Sequence, residues 1–212
     1  MNPRLKTVYL LAFLFSAFVS HASEIFEELR YSESGTGISI VGSTNPLATE
    51  FLIPSEIDGK PVTGIGFRAF WNHRSVQNVV IPDGVTIIGE RAFNNCGSLT
   101  SITIPEGVTS IGRSTFAGCR QLRSISIPNS VTFIDRLAFA SCAFESVILP
   151  DSLSEIEDLV FSDCSRLVSV TIPEGVSSIG GRAFGGCRSL KSIVIPEGVT
   201  VIGEQAFSGC SQ

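Results

Sequence analysis

Histidine is almost missing from this sequence: His21 and His73 are the two present in 212 residues. Catalysis by a Ser-His-Asp or Cys-His set is thereby left with one base beyond the N-terminal segment, His73, and a tetrahedral metal site with one imidazole. A basic run is missing as well. Acidic residues outnumber basic ones by 20 to 15, and no stretch gathers Lys and Arg. Neither phosphate neutralisation nor attraction to anionic lipid is available, so the expectation is no nucleic acid partner and no lipid surface. The third absence is a second long apolar stretch. One apolar run covers residues 8–19; it is too short to span a bilayer comfortably, and nothing later is long enough to try. No membrane span is expected in the mature chain.

The apolar run is better explained by its flanks. Arg4 and Lys6 precede it, and Ser20-His21-Ala22 supplies a small-x-small pattern after it. This predicts a signal peptide over residues 1–22, cleaved near Ala22, and a secreted or extracytoplasmic protein in periplasm, at the cell surface or in the medium. Thirteen basic residues then face twenty acidic ones, a net charge of −7.

What the sequence has in abundance is itself. SITIPEGVTSIGRSTFAGC (101–119), SVTIPEGVSSIGGRAFGGC (169–187) and SIVIPEGVTVIGEQAFSGC (192–210) are near copies. Ile or Leu followed by Pro recurs at Pro54, Pro82, Pro105, Pro128, Pro150, Pro173 and Pro196, and Phe keeps the same phase at Phe70, Phe93, Phe116, Phe139, Phe161, Phe184 and Phe207. A fixed period of this size predicts a solenoid whose coils bury a shared core only by stacking.

Each coil divides into three parts. In LTSITIP, Ile102 and Ile104 alternate with Ser101 and Thr103, a strand with one buried face. Pro105 ends it, and Ile104-Pro105-Glu106-Gly107 fits a type I turn with Pro second and Gly fourth. Val108 and Ile111 return on a second short extended segment. The next position, filled by Gly66, Gly89, Gly112, Asp135, Glu157, Gly180 and Gly203, is expected to cap a helical turn that carries the Ala-Phe pair inward. The fold class read from this is an α/β solenoid: about seven 23-residue coils over residues 48–212, each with a parallel strand, a second short strand and a short helical turn. Residues 23–47 alternate and turn at Ser34-Gly35-Thr36-Gly37, which predicts a β-hairpin capping the first coil.

The phrase IP-[DE]-G-V-T-x-I-G-x-x-A-F-x-x-C resembles the BspA-like leucine-rich repeat family, over nearly all of residues 24–212. The opening coil IPSEIDGKPVTGIG (53–66) carries five extra residues. The resemblance implies a surface or secreted protein of the kind found in bacteria and some parasitic protists, several of which are adhesins for extracellular-matrix proteins or other cells. With His73 as the one remaining base and the carboxylates Asp83, Glu106, Asp151, Glu174 and Glu197 in turns where water solvates them, the residues point to no cofactor and no enzyme activity.

Cys96, Cys119, Cys142, Cys164, Cys187 and Cys210 each lie three residues after a Phe, with His73 in that place in the first coil. One column of parallel side chains about 5 Å apart suits buried free thiols. Disulfides between neighbouring coils want a closer Cβ approach, and a straight column offers a metal no tetrahedral convergence. The stretch Gly64-Ile65-Gly66-Phe67-Arg68-Ala69 matches a dinucleotide fingerprint but falls on repeat columns with no βαβ unit around it. The fifth coil is one residue short, takes Phe144 early and gathers Glu145, Asp151, Glu155, Glu157, Asp158 and Asp163. That reads as a solvated acidic face with a small kink, a calcium site being the weaker alternative.

The candidate partner-binding face is the outward side of the first strand: Asn78, Val80, Ser101, Thr103, Ser124, Ser126, Ser146, Ile148, Ser169, Thr171, Ser192 and Val194. Its small, neutral residues suit docking of a protein partner, and suit equally a crowded parallel ladder with no ligand. A secondary candidate is the aromatic group Phe67, Trp71 and His73. The expected function is a secreted protein-binding or adhesion scaffold; the alternative is a passive spacer or a fragment of a longer surface protein. Self-association through the C-terminal coil is also expected, because its strand edge and the residues Val199, Ile202 and Phe207 have no stacked neighbour.

Overall fold

The computed structural model describes residues 6–7, 28–35 and 37–211. Of the expected signal segment, Lys6–Thr7 is described, as a two-residue strand antiparallel to Leu29–Ser34. The apolar run and the cleavage site lie outside the described residues, as do residues 23–27.

The chain winds into stacked coils with one extended segment on the front and a shorter one on the back. Front strands Glu50–Leu52, Asn78–Val80 and Ser101–Ile102 pair in parallel, and a bridge from Thr103 to Ser126 carries the ladder one coil further. Ser146–Ile148 and Ser169–Thr171 form a second front pair. On the back, Lys60–Ile65, Ile87–Ile88, Ser110–Ile111 and Phe133–Ile134 stack in parallel, and Glu155–Ile156, Ser178–Ile179 and Val201–Ile202 form a separate sheet. Alternation explains the inward set: Val79, Ile102, Val147 and Val170 are buried while their sequence neighbours face water.

Leu29–Ser34 and Gly37–Ser43 make an antiparallel hairpin, and the second of these strands lies parallel to Lys60–Ile65, with Ile38 opposite Val62 and Ile40 opposite Ile65. The hairpin thus covers the back edge of the first coil and closes its apolar end with Leu29, Tyr31, Ile38 and Ile40, all buried. The five extra residues of the opening coil form a smaller hairpin. Glu56–Ile57 folds back on Lys60–Ile65 through Asp58 and Gly59, which have φ of 53° and 73°. Asp-Gly with both residues left-handed is the two-residue turn that matches strand twist. The Tyr31 hydroxyl donates to Asp58 Oδ2 at 2.9 Å, and Lys60 meets Glu33 at 2.6 Å, tying the two hairpins together.

The expected helical turn does not form; among the described residues there is no helix, and the fold is a β-solenoid of about seven coils. The segment after each Gly66-type position is an arch of overlapping β-turns. In the first coil Ala69, Trp71 and His73 donate their N–H groups three residues back, to Gly66, Arg68 and Phe70. The residues between them, Arg68, Phe70 and Asn72, donate instead to Glu90, Ala92 and Asn94 of the next coil. Arg68 and Asn72 have φ of 55° and 58°, and the same two positions are left-handed in every coil. A helix cannot propagate through such residues. The reversals aim every second N–H along the stack, so the arch is a third ladder between coils.

A second correction concerns the Pro turn. Val108 N–H donates to Pro105 O, and Val85, Val131, Leu153, Val176 and Val199 repeat the pattern. Pro therefore stands first in the turn, its carbonyl accepting, with Glu106 and Gly107 at the centre.

Beneath the arch the Phe column is a continuous stack. Centroid separations run 5.2, 5.5, 5.6, 5.6, 5.5 and 5.5 Å from Phe70 to Phe207, with rings within 10° of parallel. Equal spacing of one ring per coil leaves the offset parallel arrangement as the natural packing.

Both sheets break at the same height, between the fourth and fifth coils. No pairing joins Ser124–Ile127 to Ser146–Ile148 or Phe133–Ile134 to Glu155–Ile156. On the front, three residues replace four between Cys142 and Ser146, and Phe144 fills the slot of Leu122 and Leu167, edge-on to Phe139 at 5.7 Å. On the back, glycine gives way to side chains. A Cβ at Gly180 would sit 2.5 Å from Asp158 N, and one at Gly203 2.4 Å from Gly181 N; backbones approach that closely only without a Cβ. Glu157 has one and makes no bond to Ile134 O, whereas Asp135, with a Cβ in the same column, keeps its N–H on Ile111 O at 2.9 Å, so a side chain there marks the seam without being enough to open it. The arch spans the seam regardless: Phe139 N–H reaches Val160 O at 3.0 Å and Ser141 N–H reaches Ser162 O at 2.8 Å.

Candidate functional site

The twelve residues of the predicted face lie on the front surface, eleven of them exposed and Asn78 half-buried. The fold brings them together in three groups rather than one. Asn78, Val80, Ser101, Thr103 and Ser126 share the first ladder; Ser146, Ile148, Ser169 and Thr171 share the second; Ser124, Ser192 and Val194 continue the column outside any ladder. Hydroxyls dominate, and the aliphatic members stand out: Val80 is 45% exposed, Ile148 74% and Val194 81%. Those values mark side chains projecting from the sheet with nothing packed on them.

The aromatic group does not stay together. Phe67 and Trp71 are exposed on the outer corner of the first arch, and the Arg68 guanidinium sits 4.9 Å from one ring and 5.0 Å from the other. Arg68 was not singled out from the sequence, although its place between two aromatics on a turn is the signal for cation–π contact. His73 is instead buried. Its Nε2 lies 2.8 Å from Asn45 O, a group that only accepts, so Nε2 carries the proton. Nδ1 is buried without a partner, and the ring packs edge-on to Phe51 at 5.2 Å. His73 is thus one of several links between the first coil and the N-terminal region, here to the segment that follows the hairpin.

The column that His73 begins shows what the cysteines do. All six are free, five buried and Cys210 half-buried. Each thiol donates to the carbonyl of the Phe one coil back: Cys96 to Phe70 at 3.0 Å, Cys119 to Phe93 and Cys142 to Phe116 at 3.2 Å, and onward to Cys210 with Phe184 at 3.3 Å. That carbonyl also accepts the N–H three residues on, as Phe93 does from Cys96. Both lone pairs are used, and a small side chain with one weak donor fits where Ser would bring an unmet acceptor capacity into apolar surroundings. Burial pushes the Cys96 and Cys164 thiols up to about 12 and raises Cys119, Cys142 and Cys187 well above the ordinary range.

The acidic residues of the fifth coil do not converge. Among the described residues no group of three or more His, Cys, Asp or Glu is placed to hold a metal ion. Asp158 Oδ1 accepts from Gly181 N–H at 2.6 Å, spanning adjacent coils. Glu157, partly buried and facing Glu155, Asp135 and Asp158, has its carboxyl raised by burial first and by those charges next. Gly64 and Gly66 serve packing: a Cβ at Gly66 would stand 3.0 Å from Ile40 O of the hairpin. Among the described residues no helix is long and apolar enough to cross a membrane.

Solved structures with this architecture include a leucine-rich repeat protein from Bacteroides ovatus ATCC 8483, 33% identical over 86% of this chain with a TM-score of 0.82. The chain spans half the length of that protein. The T. pallidum leucine rich repeat protein, TpLRR, is 34% identical, with 86% of each chain covered and a TM-score of 0.82. No curated protein matches. The pattern of the BspA type leucine rich repeat region matches in six copies across residues 51–164 and 86–212. With the three-ladder coil, the Phe stack and the thiol column on that same period, the chain belongs to the BspA-type leucine-rich repeat family.

Proposed function

We propose that the chain is a secreted or cell-surface scaffold that binds a protein partner, of the extracellular matrix or a cell surface, through its front face. The observation that carries this reading is the trio Val80, Ile148 and Val194, projecting from a neutral hydroxyl-bearing surface. A parallel ladder needs no aliphatic side chain on its water side, and exposed apolar groups on a rigid sheet are what a partner desolvates. Seven coils at about 4.8 Å by a strand of roughly 15 Å give about 500 Å² of face. That is below the roughly 800 Å² per partner of a standard interface, so a partner of ordinary affinity reaches onto the edges as well. Secretion rests on the expected leader at residues 1–22.

The test is binding of the purified chain to a panel of matrix proteins and cell surfaces, repeated with Ile148→Glu plus Val194→Glu and with Thr103→Glu plus Ser124→Glu. Loss of binding with unchanged melting supports the front face. Binding by no member of the panel favours the passive spacer, and binding that survives both double variants moves the site elsewhere.

A further inference from the structure

The sequence has no basic run, yet the fold makes a basic edge. Arg74, Arg120, Arg123, Arg166, Arg188 and Lys191 all fall in the short connection between the cysteine column and the front strand, and all are exposed. Glu145 is the one carboxylate in those connections. The opposite edge, after each Pro, carries Asp83, Glu106, Asp151, Glu174 and Glu197, and its one basic residue, Lys60 of the opening coil, is paired with Glu33. Among the described residues none of the six cations is ion-paired.

The edge is also grooved. Arg74 and Arg120 sit two coils apart in one column, and the coil between them has Gly97 and Ser98 there. The gap is a cavity of about 480 Å³ lined by those four residues with Asn95 and Gly118. A second cavity, of about 290 Å³, shares Arg120 and runs past Ser141, Cys142, Ala143 and Ser165 to Arg166, with the Asp163 carboxylate in its lining. Arg74, Arg120 and Arg166 thus recur every two coils, roughly 10 Å, with Arg188 one coil further, over a floor of hydroxyls, an amide, backbone and one carboxylate.

We infer that this edge binds a linear sulfated polysaccharide, laid along the solenoid axis with its sulfates on Arg74, Arg120, Arg166 and Arg188. Unpaired guanidinium forks match tetrahedral oxyanions, and their one-dimensional spacing suits a chain with charge on every repeat unit. Ser98, Asn95, Ser141 and Ser165 offer hydrogen bonds of the kind sugar hydroxyls take. The groove lining includes no aromatic platform for nucleobases, and the acidic opposite edge and net charge of −5 repel a broad polyanion such as duplex DNA. The site is separate from the front-face reading, and its variants leave that face intact.

The experiment is fluorescence anisotropy of a labelled heparin oligosaccharide with the purified chain. If four cations are neutralised, affinity falls roughly fifty-fold between about 50 and 200 mM salt, using the coefficient for a flexible polyanion. Arg120→Ser plus Arg166→Ser leaves two contacts, weakens binding and cuts that salt effect to roughly seven-fold. Gly97→Phe, placed where a Cβ meets nothing within 4 Å, blocks the groove without removing charge and weakens binding too. Desulfated oligosaccharide does not bind, and Glu174→Gln changes nothing beyond a small gain. The inference is overturned by absence of binding at the lower salt, by indifference to the double arginine variant in a chain that melts normally, or by equal affinity for single-stranded oligo(dT) or polyglutamate of the same charge.

Discussion

Raising the pH should unfold this protein early, and the thiol column sets the size of the effect. Five cysteines are buried at 0–3% exposure and hold their protons on Phe carbonyls; burial raises Cys96 and Cys164 to about 12 and lifts Cys119, Cys142 and Cys187 well above the ordinary thiol range. In the unfolded chain the same thiols titrate near about 8.5. A raised folded pKa on an acid means that the unfolded state sheds protons first, so stability is intact below about pH 8 and falls as pH rises, levelling off only near the folded values. The loss per thiol is RT ln(1 + 10^(pH − pKa)) of the unfolded form, about 0.8 kcal/mol at pH 9 and about 2 kcal/mol at pH 10. Five thiols together cost about 4 kcal/mol at pH 9 and about 10 kcal/mol at pH 10, comparable with the whole stability of an ordinary domain. The magnitude is insensitive to how far above 10 the folded values lie. Tyr31, whose phenol is also raised by burial and by Asp58, adds a small loss of the same sign.

The assay is urea denaturation followed by far-ultraviolet circular dichroism, under reductant, at several pH values from 7 to 10. Cys119→Ala separates the thiols from other alkaline effects: it costs packing at every pH, but its further loss between pH 7 and 10 is smaller by about 2 kcal/mol. A midpoint that stays level to pH 10, or a Cys119→Ala slope equal to that of the parent chain, refutes the reasoning.

In denaturant all six thiols should react with a disulfide reagent, whereas in the native state only the half-buried Cys210 reacts promptly; rapid native reaction of the rest would remove the buried column. Glu157→Gly should let the fifth coil close on Ile134 and lift a crowded carboxylate, raising stability by about 1 kcal/mol through a regained hydrogen bond; a loss of stability would show that the seam has another cause. Because Glu157 has a raised carboxyl, mild acidification through its folded pKa should narrow the difference between the two chains, read as converging urea midpoints. In the last coil Val201 and Ile202 are 56% and 53% exposed while Ile179, the column mate of Ile202, is fully buried, so this chain should associate as concentration rises; a strictly monomeric species in sedimentation would count against it.

The period of the Phe, Cys and Ile-Pro positions was enough to place strands, core and coil number, because each of those positions recurs wherever the coil needs burial or a ladder stop. The arch was misread for a physical reason. Gly, Ala and Phe at 66, 69 and 70 suit a helical turn, and nothing in Arg68, Ser114, Leu137 or Gln205 advertises the left-handed backbone they adopt. That conformation is imposed by the neighbouring coil, which accepts the N–H each reversal turns outward, so it is a property of stacking and not of local propensity. Asp58-Gly59 is the contrary case: its hairpin signal is local and was there to be read. The candidate site divides along the same line. Exposure of Val80, Ile148 and Val194 follows from alternation within a strand and is legible in one coil. Separation of His73 from Trp71 depends on Asn45, 28 residues away, and the basic edge depends on arginines two coils apart lying in one column. A solenoid converts a sequence period into adjacency, so its surface chemistry is read down columns of the repeat; scanning along the chain for a cluster finds the acidic fifth coil, which converges on nothing, and passes over the edge where basic side chains line up.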